Sequence, residues 1–117
     1  MDQLTHKHLL ISAYVKQPPT CELELTEWMR ELIQKIDMNI LHGPISHYSN
    51  KKGNRGISSI AMIDTSHVSV HIWDEVDPAL LQMDVYSCKD FNEQDVIEHL
   101  EEFTVDKISV TVLDREY

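Results

Sequence analysis

Three apolar-rich segments separated by short gaps constrain the fold of this chain more than any other feature. They span Ile57–Ile63, His67–Trp73 and Leu80–Ser87. A crossover between parallel strands needs a dozen or more residues, whereas antiparallel neighbours are joined by short turns. Because both gaps are shorter than a crossover, the sequence predicts three antiparallel strands lying side by side in one sheet.

The chain before these strands predicts one strand and one amphipathic helix. His8–Val15 alternates as a half-buried strand does, and the prolines Pro18 and Pro19 cannot continue a sheet ladder. Between Glu22 and Asp37, large apolar residues recur at helical spacing among carboxylates and lysines. These apolar residues are Leu25, Trp28, Leu32 and Ile36. The sequence therefore predicts a helix with one face in the core.

The remaining segments add two strands and a second helix. Ile40–Ser49 is typical of a strand, but a Gly-Pro pair interrupts it, which predicts a sheet edge or a bulge. Asn92 is a suitable N-cap for a helix, and Lys107–Asp114 predicts the last strand. The helix residues expected to face inward are Val96, Leu100 and Phe103. This order predicts an α+β two-layer sandwich, a mostly antiparallel sheet with both helices on one face and the other face free.

The composition predicts one domain spanning residues 1–117 and narrows the classes of partner. A chain of 117 residues buries roughly two-thirds of its unfolded surface. The net charge of −10 repels phosphate, which makes nucleic acids and anionic membranes poor candidate partners. Two cysteines are too few for a disulfide framework, and no segment is typical of a signal peptide or a membrane span. We therefore expect a cytoplasmic protein with reduced thiols.

Two of the clustered strands are predicted to share a polar face. Side chains at every second position of a strand lie on the same side of the sheet. One side would carry Val68, Val70, Ile72, Met83 and Val85. The other would carry His67, Ser69, His71, Trp73, Gln82, Asp84, Tyr86 and Cys88. This second face is either an ordinary solvated surface or a functional site.

The residue types alone leave several kinds of site open on this face. A metal site is opposed by distance, because His67 and His71 lie four residues apart on a strand, roughly 13 Å. Cys88 is either an inert packed thiol or the nucleophile of a cysteine hydrolase, for which no local signature is present.

The stretch GISSIAMIDTSHVSVHIWDE, followed by LLQMDVYSC, resembles the small bacterial and archaeal S-adenosylmethionine decarboxylases, the pyruvoyl-dependent enzymes of spermidine synthesis. The matching elements are Gly56-Ile57-Ser58, Ser66-His67, His71-Ile72-Trp73, Glu75 and Asp84-Val85-Tyr86-Ser87-Cys88. The first strand and both helices also fall where the family has them, so the resemblance covers nearly the whole chain. It implies the decarboxylase fold and a small-molecule substrate.

The resemblance also implies a cofactor that the chain makes from its own backbone. The hydroxyl of Ser66 would attack the carbonyl of Thr65 and convert the peptide bond into an ester. Elimination would then cleave the chain into residues 1–65 and 66–117 and leave a pyruvoyl group in place of Ser66. That group would bind the substrate amine as a Schiff base and withdraw electrons as the carboxylate leaves.

Three further residues match positions with roles in the family. Ser58 and His71 match processing residues, since a hydroxyl can stabilise an oxyanion and an imidazole can remove a proton. Cys88 matches the residue that returns a proton to the α-carbon, a role that suits a thiol. His67 is interpreted as structural.

The chain departs from the family pattern close to the predicted site. Thr65 and Ser59 stand where the family has glutamate and glycine. Tyr48, Trp73 and Glu75 are the predicted substrate-binding residues. Two alternatives remain beside S-adenosylmethionine. One is the same chemistry on another amine-bearing acid, such as ornithine or arginine, and the other is an uncleaved binding or regulatory homologue without catalysis.

Strand geometry predicts a homodimer. Five residues of extended strand place Ser66 and His71 roughly 16 Å apart, so His71 would most simply assist at Ser66 of a partner chain. Each composite site would then use Ser66 and Cys88 of one chain with Ser58 and His71 of the other. A turn after His67 would remove the need for a partner.

Overall fold

The fold is a six-stranded antiparallel sheet with two helices. The computed structural model describes residues 6–115. In chain order the elements are β1 (Lys7–Val15), α1 (Glu22–Lys35), β2 (Ile40–Ser49), β3 (Gly56–Ile63), β4 (Ser66–Trp73), β5 (Ala79–Ser87), α2 (Glu93–Leu100), a 3-10 turn (Glu101–Phe103) and β6 (Val105–Asp114). The strands lie in the order β2-β3-β4-β5-β1-β6, and every neighbouring pair is antiparallel.

Both helices cover one face of the sheet, and the core lies beneath them. It combines the inward side chains of α1 and α2 with alternate residues of the strands. Trp28 of α1 is buried and packs on Phe103, with ring centroids 4.8 Å apart. The Trp28 indole N–H also donates to the carbonyl of His99 at 3.2 Å and so ties α1 to α2. The predicted α+β two-layer sandwich is confirmed.

The helix ends follow from local chemistry. α1 ends at Lys35, two residues before the predicted boundary, because Asp37 adopts a left-handed φ of 61°. The side chain of Asn92 accepts a hydrogen bond from the backbone N–H of Gln94 at 2.9 Å, so the predicted N-cap of α2 is confirmed. The predicted inward residues are buried, namely Val96, Leu100 and Phe103. Of the helices within residues 6–115, none is long and apolar enough to cross a membrane.

Strand β2 forms one edge of the sheet and is irregular. Its pairing with β3 shifts register on either side of His42. Gly43 has a φ of 91°, and a Cβ there would lie 2.8 Å from the carbonyl oxygen of Ile60, so a side chain does not fit. Pro44 has no N–H to donate to a ladder, which an edge strand tolerates. The predicted interrupted edge strand is confirmed.

Candidate active site

The face of the sheet opposite the helices, here called the open face, carries the polar side chains. The alternate residues of β4 and β5 that point towards the helices are buried, namely Val68, Val70, Ile72, Met83 and Val85. The residues between them are exposed or half-buried, namely His67, Ser69, His71, Trp73, Gln82, Asp84 and Tyr86. The predicted division of these two strands into an apolar and a polar side is confirmed.

One end of β4 brings Ser66 beside Cys88. Ser66 pairs with Ser87 of β5, and the backbone N–H of Cys88 donates to the carbonyl oxygen of Thr65 at 2.9 Å. The buried hydroxyl of Ser87 donates to Thr65 Oγ1 at 3.0 Å. Ser87 and Cys88 therefore hold the carbonyl side of the peptide unit that is predicted to break. The backbone N–H of Cys88 also polarises the Thr65 carbonyl.

The backbone at Ser66 is strained. Its φ is 154°, a positive value that residues other than glycine rarely adopt. The favoured two-residue hairpin turns place positive φ on central residues of the turn, but Asp64 and Thr65 have none. The unusual angle falls instead on the first residue of β4. Backbone outliers of this kind cost about 1–3 kcal/mol and cluster at functional sites.

The other part of the open face brings Ser58 and His71 together. Ser58 of β3 is the ladder partner of His71, and its hydroxyl lies 2.8 Å from His71 Nδ1. The His71 ring stacks on Trp73, with centroids 5.8 Å apart and planes 28° from parallel. The indole N–H of Trp73 donates to Asn54 in the loop between β2 and β3 at 2.8 Å. This end therefore holds an oriented imidazole with an aromatic wall.

The two groups are separate within one chain. His71 lies five positions along β4 from Ser66, and the strand is continuous between them with no turn after His67. Five extended residues span roughly 16 Å. The fold thus brings Ser66 to Cys88 and Ser58 to His71, but it does not bring the two pairs to each other.

Tyr48 and Glu75 order the loop between β2 and β3. Tyr48 pairs with the buried Ile57 and so lies on the helix side of the sheet, where its hydroxyl donates to Asp74 Oδ2 at 2.6 Å. Glu75 Oε1 accepts two backbone N–H groups of the loop, one of them from Arg55, each at 2.8 Å. The predicted role of Tyr48 in substrate binding finds no support in this placement, because the ring is on the side of the sheet away from His71.

No sequence pattern singled out Asp74, although it is the centre of this loop contact. Its carboxylate accepts from the Tyr48 hydroxyl and from Arg55 Nε, the latter at 3.0 Å. Partial burial by itself raises the pKa of the Asp74 carboxyl, but the hydrogen bonds from Tyr48 and Arg55 outweigh it and hold the pKa below its usual value. The hydrogen bond to Asp74 raises the pKa of Tyr48 in turn.

Acidification is expected to weaken this loop contact. A carboxyl whose pKa is lowered by folding stabilises the folded state at pH values above its unfolded pKa, here near 3.8. That stabilisation is lost as the pH falls through the lower, folded value. Asp74→Asn should therefore flatten the acid decline in the free energy of unfolding and reduce that free energy at pH 7 by about 1–2 kcal/mol.

Urea unfolding at a series of pH values tests this expectation. The matched control is Asp106→Asn, which changes a strand carboxylate that is 39% exposed and makes only a 3.9 Å contact with Lys16. An Asp74→Asn variant whose acid decline matches that of the wild type would contradict the prediction.

A shallow, mostly apolar depression of about 440 Å³ adjoins Ser66 on the open face. It is lined by His42, Ile45, Ile60, Ala61, Met62, Ser66, His67 and Ser69. Ile45 and Ile60 are 68% and 55% exposed, and apolar patches of this kind mark ligand or protein contacts. In the part of the chain that the structure describes, no three potential metal ligands are grouped to hold an ion.

Comparison with known proteins identifies the family to which a chain with this fold and site belongs. The family model described as S-adenosylmethionine decarboxylase matches residues 7–116. The chain belongs to the S-adenosylmethionine decarboxylase family. Membership makes it a carboxy-lyase, which agrees with the fold and activity that the sequence resemblance implies.

Relatives in the S-adenosylmethionine decarboxylase family are distant in sequence. The chain is 29% identical over 82 residues to the S-adenosylmethionine decarboxylase proenzyme of Clostridium botulinum (strain Loch Maree / Type A3), which covers 69% of each chain. The proenzyme of strain Langeland is 27% identical over the same length. The crystal structure of the adenosylmethionine decarboxylase from Aquifex aeolicus VF5 has a TM-score of 0.75 at 20% identity, covering 99% of this chain and 94% of that one. That likeness is one of fold.

Proposed function

We propose that this chain is a proenzyme that cleaves itself between Thr65 and Ser66 and then decarboxylates S-adenosylmethionine for spermidine synthesis. The observation that carries the proposal is the peptide unit at the start of β4. Its carbonyl oxygen accepts the N–H of Cys88 at 2.9 Å, and its serine has a φ of 154°. A polarised carbonyl beside a hydroxyl on a strained backbone is suited to an acyl shift.

Cleavage follows from the groups at this bond. The Ser66 hydroxyl adds to the Thr65 carbonyl carbon, and the C–N bond breaks to give an ester and a free amine. The Cys88 N–H donates to the oxygen that becomes negative during the addition. A base then removes the α-proton of residue 66, and the Thr65 carboxylate leaves. Water hydrolyses the resulting enamine, through its imine, to ammonia and the pyruvoyl group.

The base is proposed to come from a second copy of the chain. His71 is accessible on the open face, where the Ser58 hydroxyl orients its ring at 2.8 Å. Strand geometry keeps His71 roughly 16 Å from Ser66 of the same chain. The exposed isoleucines Ile45 and Ile60 lie next to Ser66, which supports a partner packed on the open face. The homodimer would then hold two sites, each with Ser66 and Cys88 from one chain and Ser58 and His71 from the other.

The residues around Ser66 fit a pyruvoyl group. When present, that group supplies an electron sink for the loss of the substrate carboxylate. Cys88 is half-buried, and its backbone N–H donates to the Thr65 carbonyl at 2.9 Å, which supports a role for its thiol in returning a proton to the substrate. Trp73 stacks on His71 and would form an apolar wall for the substrate across the dimer, and Glu75 would act through the loop that it orders.

The deciding experiment is the intact mass of the purified protein under denaturing, reducing conditions. We expect fragments 1–65 and 66–117, the second with a pyruvoyl N-terminus. Ser66→Ala should remain one species near 13.6 kDa, while the matched control Ser69→Ala, on the same strand, should be cut as the wild type is. A wild-type chain that stays whole would favour the alternative of an uncleaved binding or regulatory homologue.

The substrate is tested on the cut protein. Release of carboxyl-labelled carbon dioxide would be compared for S-adenosylmethionine, ornithine and arginine at equal concentration. Release from S-adenosylmethionine alone is the expected result. Release of labelled carbon dioxide from ornithine or arginine instead would agree with the proposed pyruvoyl chemistry but would contradict S-adenosylmethionine as the substrate.

A further inference from the structure

A carboxylate on the open face lies between two histidines, and neither the cleavage nor the decarboxylation described above uses it. Asp84 of β5 lies diagonally across the ladder from His67 of β4, and Asp84 Oδ1 is 3.1 Å from His67 Nε2. His8 of β1 approaches the same oxygen from the other side, with its Nε2 at 3.7 Å. The three side chains are 31%, 42% and 16% exposed in the order Asp84, His67 and His8.

The surroundings hold both rings in place. His67 and His8 each pack on Tyr86, with centroids 5.8 and 5.3 Å away. Arg115 lies 4.7 Å above the Tyr86 ring, and its guanidinium is 3.4 Å from His8 Nδ1. His6 is a further polar neighbour, and its Nδ1 lies 3.4 Å from the Tyr86 hydroxyl. Among described residues, His8 Nε2 is a buried nitrogen without a hydrogen-bond partner, so it leaves the Asp84 carboxylate to His67.

The geometry fixes the form of the His67 ring. A carboxylate accepts and does not donate, so Nε2 of His67 carries the hydrogen that points at Asp84. The imidazole is thereby held in one rotamer and one tautomer. Residue 66 is bonded directly to the backbone of His67, so a fixed His67 side chain also restrains residue 66.

We propose that Asp84 is a positioning residue that holds His67, and through His67 the pyruvoyl-bearing end of β4, in place after cleavage. The inference rests on the proposed cleavage at Ser66. Before the cut, residue 66 is held from both sides, by the turn to Ile63 and by its ladder partner Ser87. After the cut, its one covalent link runs to His67, and its nitrogen has left as ammonia, so it donates no backbone hydrogen bond.

The importance of Asp84 then depends on whether the chain is cut. In the uncut chain the hairpin already restrains His67, and the Asp84 contact is redundant. In the cut chain the same contact restrains a free strand end, where backbone amides otherwise fray. A merely structural carboxylate would matter equally in both forms.

Hydrogen exchange separates these two roles. Exchange at the amides of residues 67–69 would be compared for Asp84→Ala and its parent in two backgrounds, the cut protein and the uncleavable Ser66→Ala chain. We expect exchange to be about tenfold faster on loss of Asp84 in the cut protein, and unchanged within about twofold in the uncut chain. In the cut protein kcat should fall by about tenfold, with KM nearly unchanged.

Two variants complete the test. Asp106→Ala removes a strand carboxylate of similar exposure and should leave exchange and kcat at wild-type values. Asp84→Asn keeps an acceptor oxygen for the His67 Nε2–H and should fall between the wild type and Asp84→Ala. It also carries the comparison if Asp84→Ala does not fold.

The outcomes distinguish this inference from the function on which it rests. A wild type that is never cut, which the mass alone reveals, overturns the proposed function and this role together. A wild type that is cut, with equal exchange at residues 67–69 in all variants, overturns only the role of Asp84. So does faster exchange of equal size in both backgrounds, or a folded Asp84→Asn chain that remains uncut, because either would place the effect before cleavage.

Discussion

Co-expression of a Ser66→Ala chain with a His71→Ala chain is expected to restore cleavage that neither chain shows alone. In a mixed dimer, one composite site combines the intact Ser66 of the second chain with the intact Ser58 and His71 of the first. The other site lacks both Ser66 and His71. Of the two chains, only the His71→Ala chain should therefore be cut, and only when its partner is a Ser66→Ala chain.

The size of this effect is set by the pairing of the chains. With equal expression and random pairing, about half of the His71→Ala chains find a Ser66→Ala partner. Tags of different length on the two chains allow each to be followed by mass. The control partner is a Ser66→Ala/His71→Ala double variant, which still forms dimers but has no imidazole to offer. No cleavage in either mixture would place the site within one chain, and cleavage of the His71→Ala chain with this control would show that His71 is not the required base.

Gly56→Ala is expected to cause the largest loss of stability of any small substitution in the sheet. A Cβ at Gly56 would lie 2.0 Å from the carbonyl oxygen of Ile72 and 2.9 Å from Trp73 Cα. Both are backbone atoms of the neighbouring strand β4, so no side-chain rotation can relieve the contact. The strands would have to separate, at a cost of about 3 kcal/mol or more.

The same movement should reach the site. Gly56 lies two residues before Ser58, so a displaced β3 would pull the Ser58 hydroxyl from its 2.8 Å contact with His71. The urea midpoint and the cleaved fraction should therefore both fall. Gly53→Ala is the comparator, because nothing lies within 4 Å of its Cβ position while its φ of 87° still strains a side chain. We expect it to cost about 1–2 kcal/mol with cleavage unchanged. Equal losses for the two variants would contradict the steric explanation.

The regular alternation of β4 and β5 is the part of the site that the sequence predicts well. His67, Asp84 and Tyr86 lie on the open face because every second residue of an uninterrupted strand must. Strand β2 shows the limit of this reasoning. Its register shifts around His42 decide that Tyr48 lies on the helix side, and no periodicity in the sequence carries information across such an irregularity.

The sequence does not predict contacts between particular residues of neighbouring strands, for a related reason. The hydrogen bond from Cys88 to Thr65 and the contact of Asp84 with His67 depend on the register of β4 against β5. Five residues separate these strands, which leaves several registers open. The backbone angle at Ser66 is likewise set by the turn that precedes it and not by the residue itself. The sequence therefore predicts which residues share a face, while the pairing decides which of them touch.

The strand order has a consequence for the protein once it is cut after Thr65. The first fragment would contribute β1, β2 and β3, and the second would contribute β4, β5 and β6. Three of the five strand junctions would then join different polypeptides, namely β3 with β4, β5 with β1, and β1 with β6. Strand β1 of the first fragment would lie between β5 and β6 of the second, so the fragments cannot dissociate without breaking the strand pairing of the sheet. The mature protein would be a pair of peptides that share one sheet, and its melting temperature would rise with concentration. Folding of the intact precursor would be the natural route by which the strands of the two peptides come to alternate in that sheet.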